Sequence, residues 1–173
     1  MSTITKGSGD DEIVGSIGND TLKGGSGNDQ IITYSGTDYA YGESGDDNIN
    51  GVLNSDGTYT YWESSDTQWL YGGEGDDTIF GGTDVDNISG ESGNDYLNGQ
   101  EGNDIIDGGL GEDELYGNEG DDTLSGGEGV DELHGNEGND SLKGGAGNDR
   151  INTGSGTDYA YGESGDDNIN GVL

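Results

Sequence analysis

The chain contains no cysteine among its 173 residues, which excludes a disulfide framework and a thiolate metal site. Positive charge is almost absent. The four basic residues, Lys6, Lys23, Lys143 and Arg150, are too few for a phosphate-binding patch, so no nucleic-acid partner is expected. The same scarcity disfavours an anionic membrane surface. No apolar run approaches the length of a membrane span or a signal-peptide core, and membrane insertion is not expected. Histidine occurs once, at His134. Without a second His or a Cys, neither a transition-metal site nor a nucleophilic triad has support. Carboxylate pairs say little in a chain with 38 acidic residues. These absences argue against an enzyme.

Glycine supplies 39 residues, proline none, and apolar residues only 25%, with a net charge of −34. Composition alone would predict a disordered chain that repels itself. The order of residues says otherwise. A nine-residue unit, GGxGxDxUx with U mostly Ile or Leu, occurs sixteen times. Five units run from Lys6 to Asn50 and eleven from Gly72 to Asn170. Position six is always Asp: Asp11, Asp20, Asp29, Asp38, Asp47, Asp77, Asp86, Asp95, Asp104, Asp113, Asp122, Asp131, Asp140, Asp149, Asp158 and Asp167. Position four is Gly in every unit but one, where Asp84 stands. A fixed period of this kind marks a repeat architecture.

A strand centred on x-U-x points U inward and its neighbours outward. The six residues before it are expected to reverse the chain, with glycine at positions one, two and four admitting tight turns. Two units then make one flattened turn of a coil. The predicted fold is all-β, a parallel β-roll or β-helix solenoid of about nine rungs, each touching only its neighbours. At about 4.8 Å per rung the rod is roughly 40 Å long.

One Ile or Leu buried per nine residues falls far short of the chain entropy lost. An Asp in each turn also stacks above another one rung away. A divalent cation between turns answers both problems, taking carboxylates from position six and carbonyls from the glycine-rich backbone. Oxygen-only ligands favour Ca²⁺ over Zn²⁺ and Mg²⁺.

GGEGDDTIF at 72–80, GNEGDDTLS at 117–125 and GGAGNDRIN at 144–152 resemble the calcium-binding nonapeptides of the repeats-in-toxin (RTX, haemolysin-type) family. The resemblance covers 6–50 and 72–170. It implies a calcium-stapled β-roll, exported unfolded through a one-step secretion system and folded outside the cell. It assigns the sixteen Asp residues as metal ligands, with roughly a dozen or more ions. Asp56 is a weaker candidate. Gln68 at position six and Asp84 at position four put the sites in their turns in doubt.

The chain divides into a nonapeptide block at 6–50, an aromatic-rich segment at 51–71, a second block at 72–170, and the start of a further degenerate segment at 171–173. Counting in nines through 51–71 puts Asp56 at position six and Leu70 at position eight, with three residues to spare near Thr60 to Trp62. This predicts one irregular rung, with Tyr41, Tyr59 and Phe80 stacked on one face. A hairpin that bulges out between two separate solenoids is the competing expectation. A longer echo is also present: 35–53 recurs identically at 155–173, and from Leu22 and Leu142 onward 28 of 32 positions match. The chain is therefore expected to be a link in a longer array, with neighbouring copies as partners.

The expected function is a calcium-binding spacer module of an extracellular or cell-surface repeat protein, adhesin-like or surface-layer-like. One alternative is a binding module that offers Tyr59, Tyr61, Trp62, Trp69 and Tyr71 to a glycan or protein. Another is the C-terminal β-roll of a secreted protease or lipase. Ice binding is poorly supported, because position three carries Glu74, Glu101, Glu119, Glu128 and Glu137 rather than a threonine row. His134 falls on outward position nine and is expected to be exposed.

Overall fold

The structure is a computed structural model. It describes residues 2–53, 59–61 and 66–171, with only the strand path given for 52–53 and 59–61. The described residues form strands and turns without a helix. In chain order the strands are β1 (Ser2–Thr5), β2 (Glu12–Val14), β3 (Asp20–Ser26), β4 (Gln30–Ile32), β5 (Tyr39–Ser44), β6 (Asn48–Ile49), β7 (Gly51–Leu53), β8 (Tyr59–Tyr61), β9 (Trp69–Glu74) and β10 (Thr78–Gly82). They continue as β11 (Asn87–Ser92), β12 (Tyr96–Glu101), β13 (Ile105–Leu110), β14 (Glu114–Glu119), β15 (Thr123–Glu128), β16 (Glu132–Glu137), β17 (Ser141–Ala146), β18 (Arg150–Asn152), β19 (Tyr159–Ser164) and β20 (Asn168–Asn170).

Two nine-stranded parallel sheets face each other. The first runs β1-β3-β5-β9-β11-β13-β15-β17-β19 and the second β2-β4-β6-β10-β12-β14-β16-β18-β20. Register partners lie two nonapeptides apart, as in Leu124↔Leu142 and Leu115↔Leu133. The predicted nine-turn β-roll is therefore the fold. Position eight supplies the core, from Ile13 and Leu22 through Leu142 and Ile151, nearly all at 0–1% exposure. At that level each regular turn is held by a single pair of apolar side chains.

The strands are longer than the expected three residues. Most run from position seven through position three of the next unit, with positions eight and one facing inward. Where a strand continues through position one that residue is glycine; the two threonines at position one, Thr33 and Thr153, fall just after β4 and β18 end. The turn itself is confined to positions four to six. At position four the glycines stack directly: Gly129 has φ +144, and a Cβ there would lie 1.5 Å from the Gly111 carbonyl oxygen. Asp84 takes this place in its unit without adopting positive φ, so that turn has a different backbone.

The segment 51–71 does not form a full rung. Tyr39 pairs with Trp69 and Ile49 with Ile79. The sequence separation between stacked positions grows here from 18 to 30. Twelve residues are extra, not three, and among the described residues of this segment the coil is joined by Trp69–Tyr71, at the start of β9. Gly51–Leu53 and Tyr59–Tyr61 pair with each other antiparallel. The hairpin half of the competing expectation thus describes the pairing, whereas the two blocks form one continuous coil, with Leu70 buried in the same core as Ile49 and Ile79. A full rung would have moved Ile79 to the opposite sheet, and the core pairing with Ile49 decides against it. The count of nine turns survives because Ser2–Thr5, which the repeat count omitted, adds the missing half-turn, with Ile4 set against Leu22.

Candidate metal centre

The turns divide the position-six residues between the two edges of the rod. One edge carries Asp20, Asp38, Gln68, Asp86, Asp104, Asp122, Asp140 and Asp158. The other carries Asp11, Asp29, Asp47, Asp77, Asp95, Asp113, Asp131, Asp149 and Asp167. Thirteen of the sixteen Asp residues are buried at 0–2% exposure. Asp11, Asp158 and Asp167, in the terminal turns, are half-buried.

Each column is wired in one direction. The backbone N–H of one Asp donates to Oδ1 of the Asp one rung later, as in Asp77 to Asp95 at 2.8 Å and Asp104 to Asp122 at 2.8 Å. Across the extra twelve residues the pattern holds, with Asp47 donating to Asp77 at 2.6 Å. The second oxygen is different. Oδ2 of twelve Asp residues, including Asp29, Asp77, Asp113 and Asp149, is buried and accepts no hydrogen bond. A buried carboxyl oxygen without a partner is costly.

The electrostatics show the strain. Burial, reinforced by carboxyls on neighbouring rungs, pushes Asp77 and Asp86 up to about 8. Asp104 and Asp113 rise to about 7 for the same reasons. Asp38, Asp47, Asp95, Asp122 and Asp131 rise to about 6, again chiefly through burial. Asp20 is the contrast. Burial pushes it up too, but hydrogen bonds from Ser2 and Ser16 outweigh that and hold it at about 2. A carboxyl with enough donors stays charged; those in the middle of the rod lack them.

The donor set suits a hard cation. A Cβ built on Gly42 would lie 2.1 Å from Asp47 Oδ2 and 2.5 Å from the Gly72 carbonyl oxygen. At Gly90 the neighbours are Asp95 Oδ2 at 2.1 Å and the Gly108 carbonyl oxygen at 2.7 Å. Carboxyl and carbonyl oxygens thus crowd the same space above most of the position-one glycines, and oxygen-only ligation matches Ca²⁺. Among the described residues no three acidic or histidine side chains converge on one point. Successive carboxyls lie a rung apart, so backbone carbonyls must make up such a ligand set.

Two parallel sheets wound into one coil, with a carboxyl at almost every half-turn, define a calcium-type β-roll. The family model for the RTX calcium-binding nonapeptide repeat (4 copies) matches residues 7–40, 24–56, 64–97, 80–115, 98–133, 107–142, 125–160 and 134–169, and the chain belongs to that family. Its nonapeptide repeats bind calcium and serve as structural modules. No curated protein matched the chain.

The aromatic expectations need correction. Tyr41 stacks on Tyr71 at 5.0 Å, and Tyr39 on Trp69 at 5.0 Å, all on the first sheet. Phe80 lies on the second sheet against Tyr96 at 5.8 Å, and its ring sits beneath Gly51. The expected Tyr41–Tyr59–Phe80 stack would need the full rung that is absent. The side chains of Tyr59, Tyr61 and Trp62, like Asp56, lie outside the described residues. His134 is also less exposed than expected, at 20% for its side chain. It stacks on Tyr116 at 4.7 Å and contacts Glu132 Oε1 at 3.1 Å. A flat sheet places position-nine rings one rung apart, so an outward residue is shielded by its neighbours.

Proposed function

We propose that this chain is a calcium-dependent spacer module of an extracellular repeat protein, folding when it meets calcium after secretion. The observation that carries this reading is the pair of buried carboxyl columns with twelve Oδ2 atoms that accept no hydrogen bond. The sixteen position-six Asp residues are the proposed carboxylate ligands, with roughly a dozen or more ions along the two edges. Bound Ca²⁺ supplies positive charge and a preference for six to eight oxygen ligands. The chain's own residues do the rest. Position-six Asp side chains point into the turns, position-one and position-four glycines let backbone oxygens approach, and position-eight side chains fix the register of the sheets.

Metal binding and folding are then one equilibrium, because the sites do not exist in the extended chain. Where calcium is scarce, net charge and thin core favour the disordered chain, which suits export. At the roughly 10⁻⁴–10⁻³ M affinities of extracellular modules, external calcium favours the rod. RTX repeats occur in secreted proteins, and no helix among the described residues is long and apolar enough to cross a membrane. We read the domain plan as one continuous rod interrupted by the antiparallel pair β7–β8, with a structural rather than catalytic role. The stacked rings of Tyr39, Trp69, Tyr41 and Tyr71 spend their faces on one another, which supports packing over recognition of a glycan.

Circular dichroism with and without calcium tests the proposal. A β-sheet spectrum is expected at millimolar Ca²⁺ and a disordered one in excess chelator. A β-sheet spectrum that persists in chelator at about pH 8 refutes it.

A further inference from the structure

One rung breaks the carboxyl ladder, and there the chain has put other contacts. Counting back in nines from Gly72 places Gln68 at position six and Asp66 at position four of the unit that follows the hairpin. Gln68 is fully buried, as the Asp residues above and below it are. Its backbone N–H continues the column by donating to Asp86 Oδ1 at 2.7 Å. Its side chain does what no carboxylate does: Nε2 donates to the Gly36 carbonyl oxygen at 2.8 Å and to the Asp66 carbonyl oxygen at 2.7 Å. The Gly36 N–H in turn donates to Asp66 Oδ2 at 3.0 Å. The position-four residue of one rung, Gly36, is therefore held at both its N–H and its carbonyl by side chains of the next.

At regular rungs the position-four carbonyl oxygens lie beside a column carboxyl, as Gly120 O and Asp140 Oδ1 do around a Cβ built on Gly138, at 1.7 and 3.2 Å. A neutral amide brings N–H donors to them and carries no charge to be balanced. On the outer face of the same two strands, β5 and β9, the Tyr39–Trp69 and Tyr41–Tyr71 pairs stack at 5.0 Å. Lys23 lies 4.5 Å from the centre of the Tyr41 ring and reaches Glu43 Oε1 at 3.1 Å. All of these contacts are made between protein groups.

We propose that the β5–β9 junction is a metal-free joint in which the Gln68 amide takes the place of a calcium ion, keeping the two nonapeptide blocks in register across the twelve extra residues. The proposal rests on the reading of the other position-six residues as calcium ligands. It divides the ions on that edge into two groups, one below Gln68 and one above.

The test is an ion count on the intact chain by native mass spectrometry at saturating calcium, for the wild type and for Gln68→Asp. The variant restores a continuous carboxyl column and is expected to hold one or two more Ca²⁺ than the wild type. Gln68→Glu, close to glutamine in volume, is the second variant should the shorter side chain loosen the turn. An added ion on either variant supports the joint. A wild type that binds calcium, with no added ion on either variant, overturns the joint and leaves the ladder standing. A wild type that binds none overturns the ladder and the joint together.

Discussion

The stretch from Ile88 to Ile151 and the junction of β5 with β9 solve the same stacking problem by different means. In the regular stretch each rung repeats after two nonapeptides, buries one Leu or Ile per half-turn, and places a carboxyl at each turn. At the junction the repeat is longer by twelve residues, one inward residue is Ala40, and Gln68 stands in the carboxyl column. Closing the longer span costs only about 0.5 kcal/mol more chain entropy. The larger loss is the apolar volume of Ala40 and the missing carboxylate, and the stacked rings and the amide contacts lie where that loss falls. An ionic ladder is uniform and conditional on its ions, whereas a packed joint is local and needs none.

The broadest way to sharpen this contrast is pH in the absence of calcium. In the unfolded chain an Asp titrates near 3.8, but Asp77 and Asp86 rise to about 8 in the rod and Asp104 and Asp113 to about 7, chiefly by burial. The folded rod therefore binds more protons than the unfolded chain between about pH 4 and 8, and its stability falls as pH rises through that window. Acidification from pH 8 to 4 in chelator should increase β-sheet ellipticity, with protons partly replacing ions. A spectrum unchanged over that range would count against the buried columns.

Leu70→Ala comes next. It would leave two consecutive alanines, at 40 and 70, in the core of the first sheet, and should cost about 3–5 kcal/mol in urea unfolding at saturating calcium. Leu124→Ala, flanked by Ile106 and Leu142, should cost less, about 2–3 kcal/mol. Equal losses would mean that Ala40 leaves the junction no thinner than the regular stretch. Gly129→Ala forces a Cβ onto the Gly111 carbonyl at positive φ and should lose at least about 2 kcal/mol. Gly18→Ala, with nothing within 4 Å of the new Cβ, should fall within about 0.5 kcal/mol of wild type. The smallest expected effect is the coupling of Tyr41 and Tyr71, about 0.5–1.5 kcal/mol in a double-mutant cycle.

The regular stretch was legible from sequence because its signal is a period. Once Asp recurs every nine residues with Ile or Leu two places later, strand, core and turn positions follow in phase. What escaped has no period. Asp56 falls on position six by arithmetic alone, and sequence carries no mark of which sheet a strand will join. That parity is set by core packing of Ile79 on Ile49. The Gly-Gly pairs read as turn residues, yet most lie inside strands, where a Cβ at position one would press on the following Asp carboxyl; the two position-one threonines, Thr33 and Thr153, fall just after their strands end. Ser2–Thr5 lacks glycine and aspartate and joined the coil by pairing with Asp20–Lys23, with Ile4 on Leu22 and Ser2 donating to Asp20 Oδ1. The Gln68 amide contacts could have been suspected by counting back from Gly72, which also places Asp66 at a position that elsewhere is glycine. Their partner, the Gly36 backbone, appears only in three dimensions.

The stacking direction has a mechanical consequence. The chain runs across the rod while the rungs are added along it, so a pull on the two ends loads one terminal turn at a time. Each turn that lets go would release two nonapeptides, about 60 Å of slack. Force on such a rod should be dissipated in a series of small yielding events. The β5–β9 rung, with its twelve further residues to release, should give the longest single extension of the series.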